Sequence, residues 1–243
     1  MYNFAYIIKT YIIMKLSKIL PIMALSVLMV CCANTPSKKT DTNTPTDVRS
    51  FGLVGNVKDI SVTVTDLSDA EPTSWEDSTQ YMKFDDKGRI LKDRYDNLYK
   101  YDDKGNFIYG LSEKTKMRRD EKGRIIYYEN RMDEEDDQGF TLKFEYDENG
   151  RMVKSELTGW ESTVDQTFTY TGDHIYPDRI NLESEDEGDH YSTVITYNYK
   201  KFDNIGNWTE REIHSVCKHT IDGELEDTTD SKSIEKREIQ YYR

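Results

Sequence analysis

Apolar and polar residues alternate along much of the chain with the two-residue period of half-buried β-strands. In residues 140–146 four apolar or aromatic side chains share one face and three polar side chains share the other, and residues 164–170 and 193–199 repeat the alternation. No segment keeps the 3.6-residue apolar period of an amphipathic helix. We therefore predict an all-β domain of antiparallel strands. The residues that share the predicted inner face are Phe140, Leu142, Phe144 and Tyr146; Val164, Gln166, Phe168 and Tyr170; and Thr193, Ile195, Tyr197 and Tyr199.

A short motif recurs five times between these segments: an aromatic residue, Asp, two variable residues, Gly, Arg or Asn, and an apolar residue. The copy that begins at Arg119 lacks only the aromatic. Asp at the start of a turn accepts hydrogen bonds from the backbone that follows, and Gly adopts the positive φ that ends the turn. Each copy therefore predicts a hairpin turn. The predicted turn residues are Asp85 and Gly88, Asp102 and Gly105, Asp120 and Gly123, Asp147 and Gly150, and Asp203 and Gly206.

The motif glycines lie 17, 18, 27 and 56 residues apart, and the larger gaps leave room for further hairpins. Turn-forming residues at 170–173, 187–189 and 221–224 are candidates for these. The predicted architecture is an antiparallel meander of repeated hairpins that forms a curved sheet or a partly open barrel.

The first 32 residues contain three lysines and no acid, unlike the rest of the chain. A basic start at residues 14–18 precedes an apolar stretch, Ile19 to Val30, that is shorter than the roughly 20 residues needed to span a bilayer. This order predicts a secretory signal peptide. Leu28 to Asn34 resembles the lipobox of bacterial lipoproteins, in which signal peptidase cuts before a cysteine that is then lipidated. The resemblance implies lipidation of Cys31.

Val30 is larger than the residue that usually precedes such a cut, so Cys32 is the alternative acceptor. Met14 begins a complete signal by itself and is an alternative start, and a secretory peptide without lipid is the competing interpretation. The Thr-, Pro- and Ser-rich stretch that follows predicts a solvated tether. The predicted organisation is a signal region over residues 1–31, a flexible tether over 32–50 and a β domain over 51–243.

Acidic residues outnumber basic residues by 46 to 33, which gives a formal net charge of −13. This balance argues against a nucleic-acid partner, because phosphate recognition needs basic patches. Scarce aliphatic residues with a high net charge are also typical of disordered chains. The tyrosines and tryptophans after Cys32, however, fall on strand-alternating positions, which predicts a folded sheet with a thin, tyrosine-rich core. Beyond the lipobox only Cys217 remains, so we predict a free, partly buried thiol and no disulfide framework.

The motif has a family resemblance. The segment from Lys143 to Met152 resembles the YD repeat of the RHS family, and Phe51 to Lys58 is similar to the opening of YD-repeat-like secreted lipoproteins of Bacteroidetes. The resemblance covers residues 51 to about 215 and implies a curved meander of hairpins. Large RHS proteins coil such hairpins into a closed shell, often around a toxin. Five copies are too few to enclose a cargo, so the resemblance implies neither toxin delivery nor any catalytic residue.

Candidate chemistry is sparse. Among 46 acids, some carboxylate pair at the roughly 5 to 9 Å used by glycosidases arises by chance. The four histidines show no spacing for a nucleophilic triad, and GxSxG and HExxH are absent. If residues 208–220 form a strand, Cys217 and His219 face one side and His214 the other, so the three cannot share one metal ion. We predict no catalytic residue, no cofactor and no metal ligand.

Two features leave binding functions open. Glu134 to Gly139, followed by Glu145, places acids at positions 1, 3 and 12 of a calcium-loop count, but the predicted strand that follows favours an acidic hairpin tip. Most aromatic residues in adjacent pairs or near turns are expected to be packing elements, but exposed ones can stack on sugars or dock a partner. These aromatic residues are Tyr127, Tyr128, Tyr241, Tyr242, Trp75, Trp160 and Trp208.

The sequence thus predicts a non-enzymatic bacterial envelope lipoprotein, held at the outer membrane by its lipid, whose β-meander contacts an envelope protein or a glycan. A carboxylate-based glycan hydrolase and a calcium-stabilised structural module are the alternatives. An enzyme requires a concave pocket where two acids converge with shifted pKa values. A calcium module should gain thermal stability when the ion is added.

Overall fold

The structure is a computed structural model, and it describes residues 46–67, 79–92, 98–109, 115–130, 139–159 and 161–243. It contains one short helix, α1 (Thr46–Ser50), and fourteen strands. The strands are β1 (Val57–Asp66), β2 (Thr79–Phe84), β3 (Ile90–Lys92), β4 (Lys100–Tyr101), β5 (Phe107–Tyr109), β6 (Lys116–Arg119), β7 (Ile125–Asn130), β8 (Phe140–Tyr146), β9 (Met152–Thr158), β10 (Ser162–Thr169), β11 (Arg179–Asp186), β12 (Asp189–Phe202), β13 (Trp208–Ile221) and β14 (Glu224–Tyr241).

Twelve of these strands form one antiparallel sheet in the order β3-β2-β1-β14-β13-β12-β11-β10-β9-β8-β7-β6, and β4 pairs with β5 in a separate two-stranded sheet. The prediction of an all-β antiparallel meander is confirmed. The sheet is not closed into a barrel. The one pairing that joins strands far apart in sequence is between β1 and β14, which sets Ile60 opposite Ile239 and Val62 opposite Arg237.

Consecutive turns of an antiparallel meander lie at alternate ends of the strands, so the turns fall into two groups. One end carries all five motif turns and the loop 170–178, and we call this end the repeat rim. The other end carries two-residue turns at 187–188 and 222–223, in which both residues have positive φ. The further hairpin expected around 170–173 is present, because β10 and β11 pair antiparallel, and its connection extends over the whole of 170–178.

The predicted alternation decides which side chains are buried. Val164, Gln166 and Phe168 on β10 point inward and are buried, whereas the residues between them are exposed. Met82 on β2 and Leu142 on β8 belong to one hydrophobic cluster although their strands are far apart in the sheet order, so the sheet curves around a shared core. A second cluster surrounds Trp208. The expected tyrosine contribution is present in the buried rings of Tyr99, Tyr128, Tyr176 and Tyr199.

The segment at residues 46–56 corrects the predicted tether boundary. Residues 46–50 were expected to be solvated, but they form α1, and Asp47 and Val48 are almost completely buried. The packed domain therefore includes residues 46–50. The alternation missed this segment because a single helical turn is too short to show a period, and its burial depends on contacts with residues far along the chain.

Predictions made for residues 1–45 lie outside the described residues. They include the signal peptide, the alternative start at Met14 and lipidation at Cys31 or Cys32. Within the described part of the chain, no helix has the length and apolar character to cross a membrane.

Candidate functional site

The ten predicted turn residues all lie in hairpin turns on the repeat rim. In each turn the Gly amide donates to the carbonyl oxygen of the Asp, and the Asp carboxylate accepts from the amide of the residue after Gly at 2.7–2.9 Å. The five glycines have φ between 72° and 104°, a range that disfavours any side chain. The acids of the motif therefore serve the backbone of their own turns, and this local use accounts for them without a catalytic role.

In three of the five motif copies, the arginine after the glycine contacts a tyrosine beyond its own hairpin. Arg124 donates through Nε to Asp120 of its own turn at 2.6 Å, and its guanidinium also lies 4.6 Å from the centroid of Tyr146, the aromatic that opens the following copy. We call this arrangement the Arg–Tyr ladder. Its three steps are Arg89 over Tyr101, Arg124 over Tyr146, and Arg151 over Tyr170.

In two steps of the ladder the tyrosine hydroxyl also donates a hydrogen bond to a backbone carbonyl oxygen of the preceding hairpin. Tyr146 donates to the carbonyl oxygen of Ile125 at 2.8 Å, and Tyr170 donates to that of Met152 at 2.6 Å. Burial raises the pKa of Tyr146 to about 12 even though the nearby Arg124 charge lowers it. Both hydroxyls therefore remain protonated donors over the physiological range. The sequence contains both parts of the ladder, an Arg after the motif Gly and an aromatic residue before the next motif Asp. Only the coordinates show that the two side chains are in contact.

The motif copy without an aromatic has its own explanation. Arg119 replaces the aromatic and pairs with the buried carboxylate of Asp47 in α1, at 2.5 and 3.0 Å. Burial opposes the charged form of Arg119, but the bonds to Asp47 outweigh it and raise the pKa of Arg119. Asp47 also accepts from the Ile90 amide. Through Asp47, α1 is therefore bound to two motif turns of the repeat rim, the one that precedes Ile90 and the one that follows Arg119.

The segment at residues 46–56 makes further contacts with the same rim. The Arg49 guanidinium donates to the Asn149 carbonyl oxygen, and Asn207 exchanges two 2.8 Å hydrogen bonds with the backbone of Val54. The chain therefore enters the domain across the repeat rim.

The opposite end of the strands is strongly acidic. Residues 183–191 and 218–230, which we call the acidic rim, contain ten Asp or Glu and one Lys. Burial, with help from Glu187 and Asp189, raises the pKa of Asp186. A hydrogen bond with Glu187 raises the pKa of the exposed Glu161 beside the acidic rim. These two carboxyl groups with raised pKa values lie at the end of the strands opposite the repeat rim.

A groove of about 220 Å³ lies on the outer face of β6–β9. Its lining includes Glu156, which accepts from Lys154 at 2.5 Å and from Lys143 at 3.3 Å. These bonds lower the pKa of Glu156, whereas a general acid needs a raised value. Tyr127, also in the lining, carries the Arg118 guanidinium on its ring at 4.1 Å. The groove therefore has the chemistry of a salt-linked surface.

Cys217 is a free, partly buried thiol, as expected. His219 stacks on Tyr191 with ring centroids 4.4 Å apart, and its Nε2 lies 3.5 Å from an oxygen of Asp189. In the described ranges, no group of three or more His, Cys, Asp or Glu side chains is placed to hold a metal ion. Residues 134–138 of the calcium-loop count lie outside those described, and its later positions fall on β8, the strand that was expected there.

The predicted aromatic surface is largely internal. Trp208 is completely buried, so it is a packing element and not part of an exposed binding face. It lies beside a motif turn and is the first residue of β13. Its side chain points inward and belongs to the second hydrophobic cluster. Tyr128 is buried and Tyr241 packs against the core. Trp75 and Trp160 lie outside the described residues.

Comparison with known proteins gives no relative from which a role could be transferred. No family model matches the chain, and no curated protein matches it. Its function must therefore be argued from the two rims and the core between them.

Proposed function

We propose that this protein is a non-enzymatic lipoprotein of the bacterial cell envelope that binds a basic protein partner through its acidic rim. The observation that carries the proposal is the charge distribution. The acidic rim has a formal charge of −9 within a chain of net charge −13, so two short segments hold most of the excess. Such a concentrated field speeds association with an oppositely charged surface and repels a second copy of the same chain.

The entry of the chain across the repeat rim supports this arrangement. The N-terminal segment contacts four of the motif turns, and the tight turns of the acidic rim lie at the other end of the strands. A lipid on Cys31 would attach the protein on the side of the repeat rim. The acidic rim then points away from the membrane, whose anionic headgroups would otherwise repel it.

The acidic rim also limits unwanted strand pairing. Residues 224–231 of β14 extend beyond the pairing with β1, which ends at Ser233. A bulge interrupts β14 near Asp227, whose carboxylate accepts from the Thr228 amide at 2.7 Å. Bulges and charges are the usual protection of an edge strand. We infer that recognition uses the acidic side chains and not the addition of a further strand.

The test compares two variants with the same change in charge. The first is E224Q/E226Q/D227N/D230N on the acidic rim, and the matched control is D86N/D103N/E121Q/E148Q at exposed positions of the motif turns. The wild-type protein and both variants serve as bait for native envelope proteins and for a glycan array. Bound proteins are identified and their dissociation constants are measured at several salt concentrations.

The proposal expects a basic envelope protein whose binding weakens with salt and is lost in the acidic-rim variant but kept in the control. An equal loss of partner binding in both variants would show that binding depends only on the net charge of the protein, which would contradict the proposal. Binding to glycans alone would favour the glycan interpretation. Release of sugar from a chromogenic glycoside would favour the hydrolase.

A further inference from the structure

Arg237 on β14 is a charged side chain in the interior of the curved sheet. It is only 4% exposed, and its guanidinium carbon lies 3.6 Å from the centroid of the Trp208 ring. In the β1–β14 register it lies opposite Val62, which is fully buried. The cation is therefore removed from solvent by strands on both sides.

No described group accepts a hydrogen bond from this guanidinium. All three of its nitrogens are buried without a partner. The Nε1 donor of Trp208, in the ring beneath the guanidinium, is also buried without an acceptor among the described residues. Unused donors of this kind are costly, because each has lost its hydrogen bonds to water.

The neighbouring charges do not neutralise Arg237. Glu235 is paired with Arg211, whose Nε and Nη2 both bond the same carboxylate oxygen, and both partners are buried. The three buried groups together carry a net charge of +1. Burial lowers the pKa of Arg237 to about 9, so the group remains charged at neutral pH. The Trp208 ring attracts the cation but supplies no hydrogen-bond acceptor.

We propose that Arg237 holds a small monovalent inorganic anion, of the size and charge of chloride, inside the sheet. One negative charge would neutralise the buried group and accept from the guanidinium and from the indole N–H. Chloride is only an acceptor, which matches the unpartnered donors of Arg237 and Trp208; the second oxygen of Glu235, Oε1, is also buried without a described partner and would have to lie on the side away from the anion. This inference does not depend on the partner proposed for the acidic rim.

The test replaces chloride stepwise with gluconate at constant ionic strength and follows the melting temperature. The wild-type melting temperature should rise with chloride, since an anion that binds only the folded state stabilises it. R237M and R237Q should lose this dependence. K236Q removes a neighbouring charge from the exposed side of the same strand and should keep it. In gluconate R237M should be at least as stable as the wild type, because a buried unpaired charge has been removed.

Crystals of the wild-type protein grown in bromide give a second measurement that needs no variant. An anomalous peak within hydrogen-bonding distance of the Arg237 guanidinium is expected. Ordered waters at that position without an anomalous peak would overturn the proposal. So would a melting temperature that responds to chloride equally in the wild type and in R237M.

Discussion

Replacing Arg124 should separate what the Arg–Tyr ladder contributes from what the turn contributes. Within the turn, Arg124 makes a two-point, half-buried contact with Asp120 at 2.6 and 2.5 Å, worth about 2 kcal/mol for a charge-assisted pair. Its position over Tyr146 adds about 1 kcal/mol. R124A should therefore lower the free energy of unfolding by about 3 kcal/mol.

Asparagine offers an internal comparison, because Asn106 occupies the same position in the second motif copy. Its Nδ2 donates to Asp102 at 2.8 Å, so R124N should keep a neutral bond within the turn. That bond is worth about 1 kcal/mol, and R124N should therefore cost about 2 kcal/mol. The difference in unfolding free energy between R124A and R124N therefore measures the hydrogen bond from the side chain of residue 124 to Asp120.

A double-mutant cycle then isolates the step to the next hairpin. The free energies of unfolding of R124N, Y146L and R124N/Y146L, obtained from urea denaturation followed by circular dichroism, should reveal a coupling of about 1 kcal/mol. The matched control pairs R89N with Y146L, because Arg89 lies over Tyr101 and not over Tyr146. That pair should be additive. Equal coupling in both cycles, or none in the first, would refute a ladder of neighbouring steps.

Three further perturbations test other parts of the fold. G206A should cost about 1 to 2 kcal/mol from backbone strain alone, since its φ is 104° and an added Cβ would meet no atom within 4 Å; an unchanged urea midpoint would argue against this. D47A should cost about 3 kcal/mol and D47N less, because the alanine leaves the Arg119 cation and the Ile90 amide without their acceptor; equal stability by thermal melting would show that α1 does not hold the rim. Burial raises the pKa of Tyr146 to about 12, whereas a tyrosine in the unfolded chain titrates near pH 10. Stability should thus be intact below pH 10 and fall by about 1.4 kcal/mol per pH unit for each such tyrosine as the pH rises from about 10 to 12. Absorbance at 295 nm and circular dichroism should therefore change together, and ionisation of all tyrosines near pH 10 in a still folded protein would contradict the burial.

Local patterns were enough to predict the hairpins. The alternation in residues 164–170 indicated which side chains of β10 are buried, and the Asp-Gly and Glu-Gly pairs indicated the tight turns at 222–223 and 187–188. Both features depend on residues close together in sequence, where turn chemistry and the two-residue period act directly.

Features that depend on distant residues were not predicted. Nothing in the alternation of β1 indicates that Val62 lies opposite Arg237, because the two meet only through the pairing of β1 with the distant strand β14. The same applies to Asp47, whose partner Arg119 had seemed only a missing aromatic in the motif. The position of Trp208 beside a turn left both packing and exposure open, and only the coordinates show that the inward face of β13 begins with that residue.

The pairing of β1 with β14 has a consequence for how the chain matures. Val57 is matched with Tyr241, so β1 acquires one of its two neighbours only after β14 has been synthesised. Contacts between residues so distant along the chain are slow to form, and β1 lacks this neighbour until they do. A partly synthesised chain therefore keeps one edge of β1 unpaired until β14 is available, and the pairing of β14 completes the order of the large sheet.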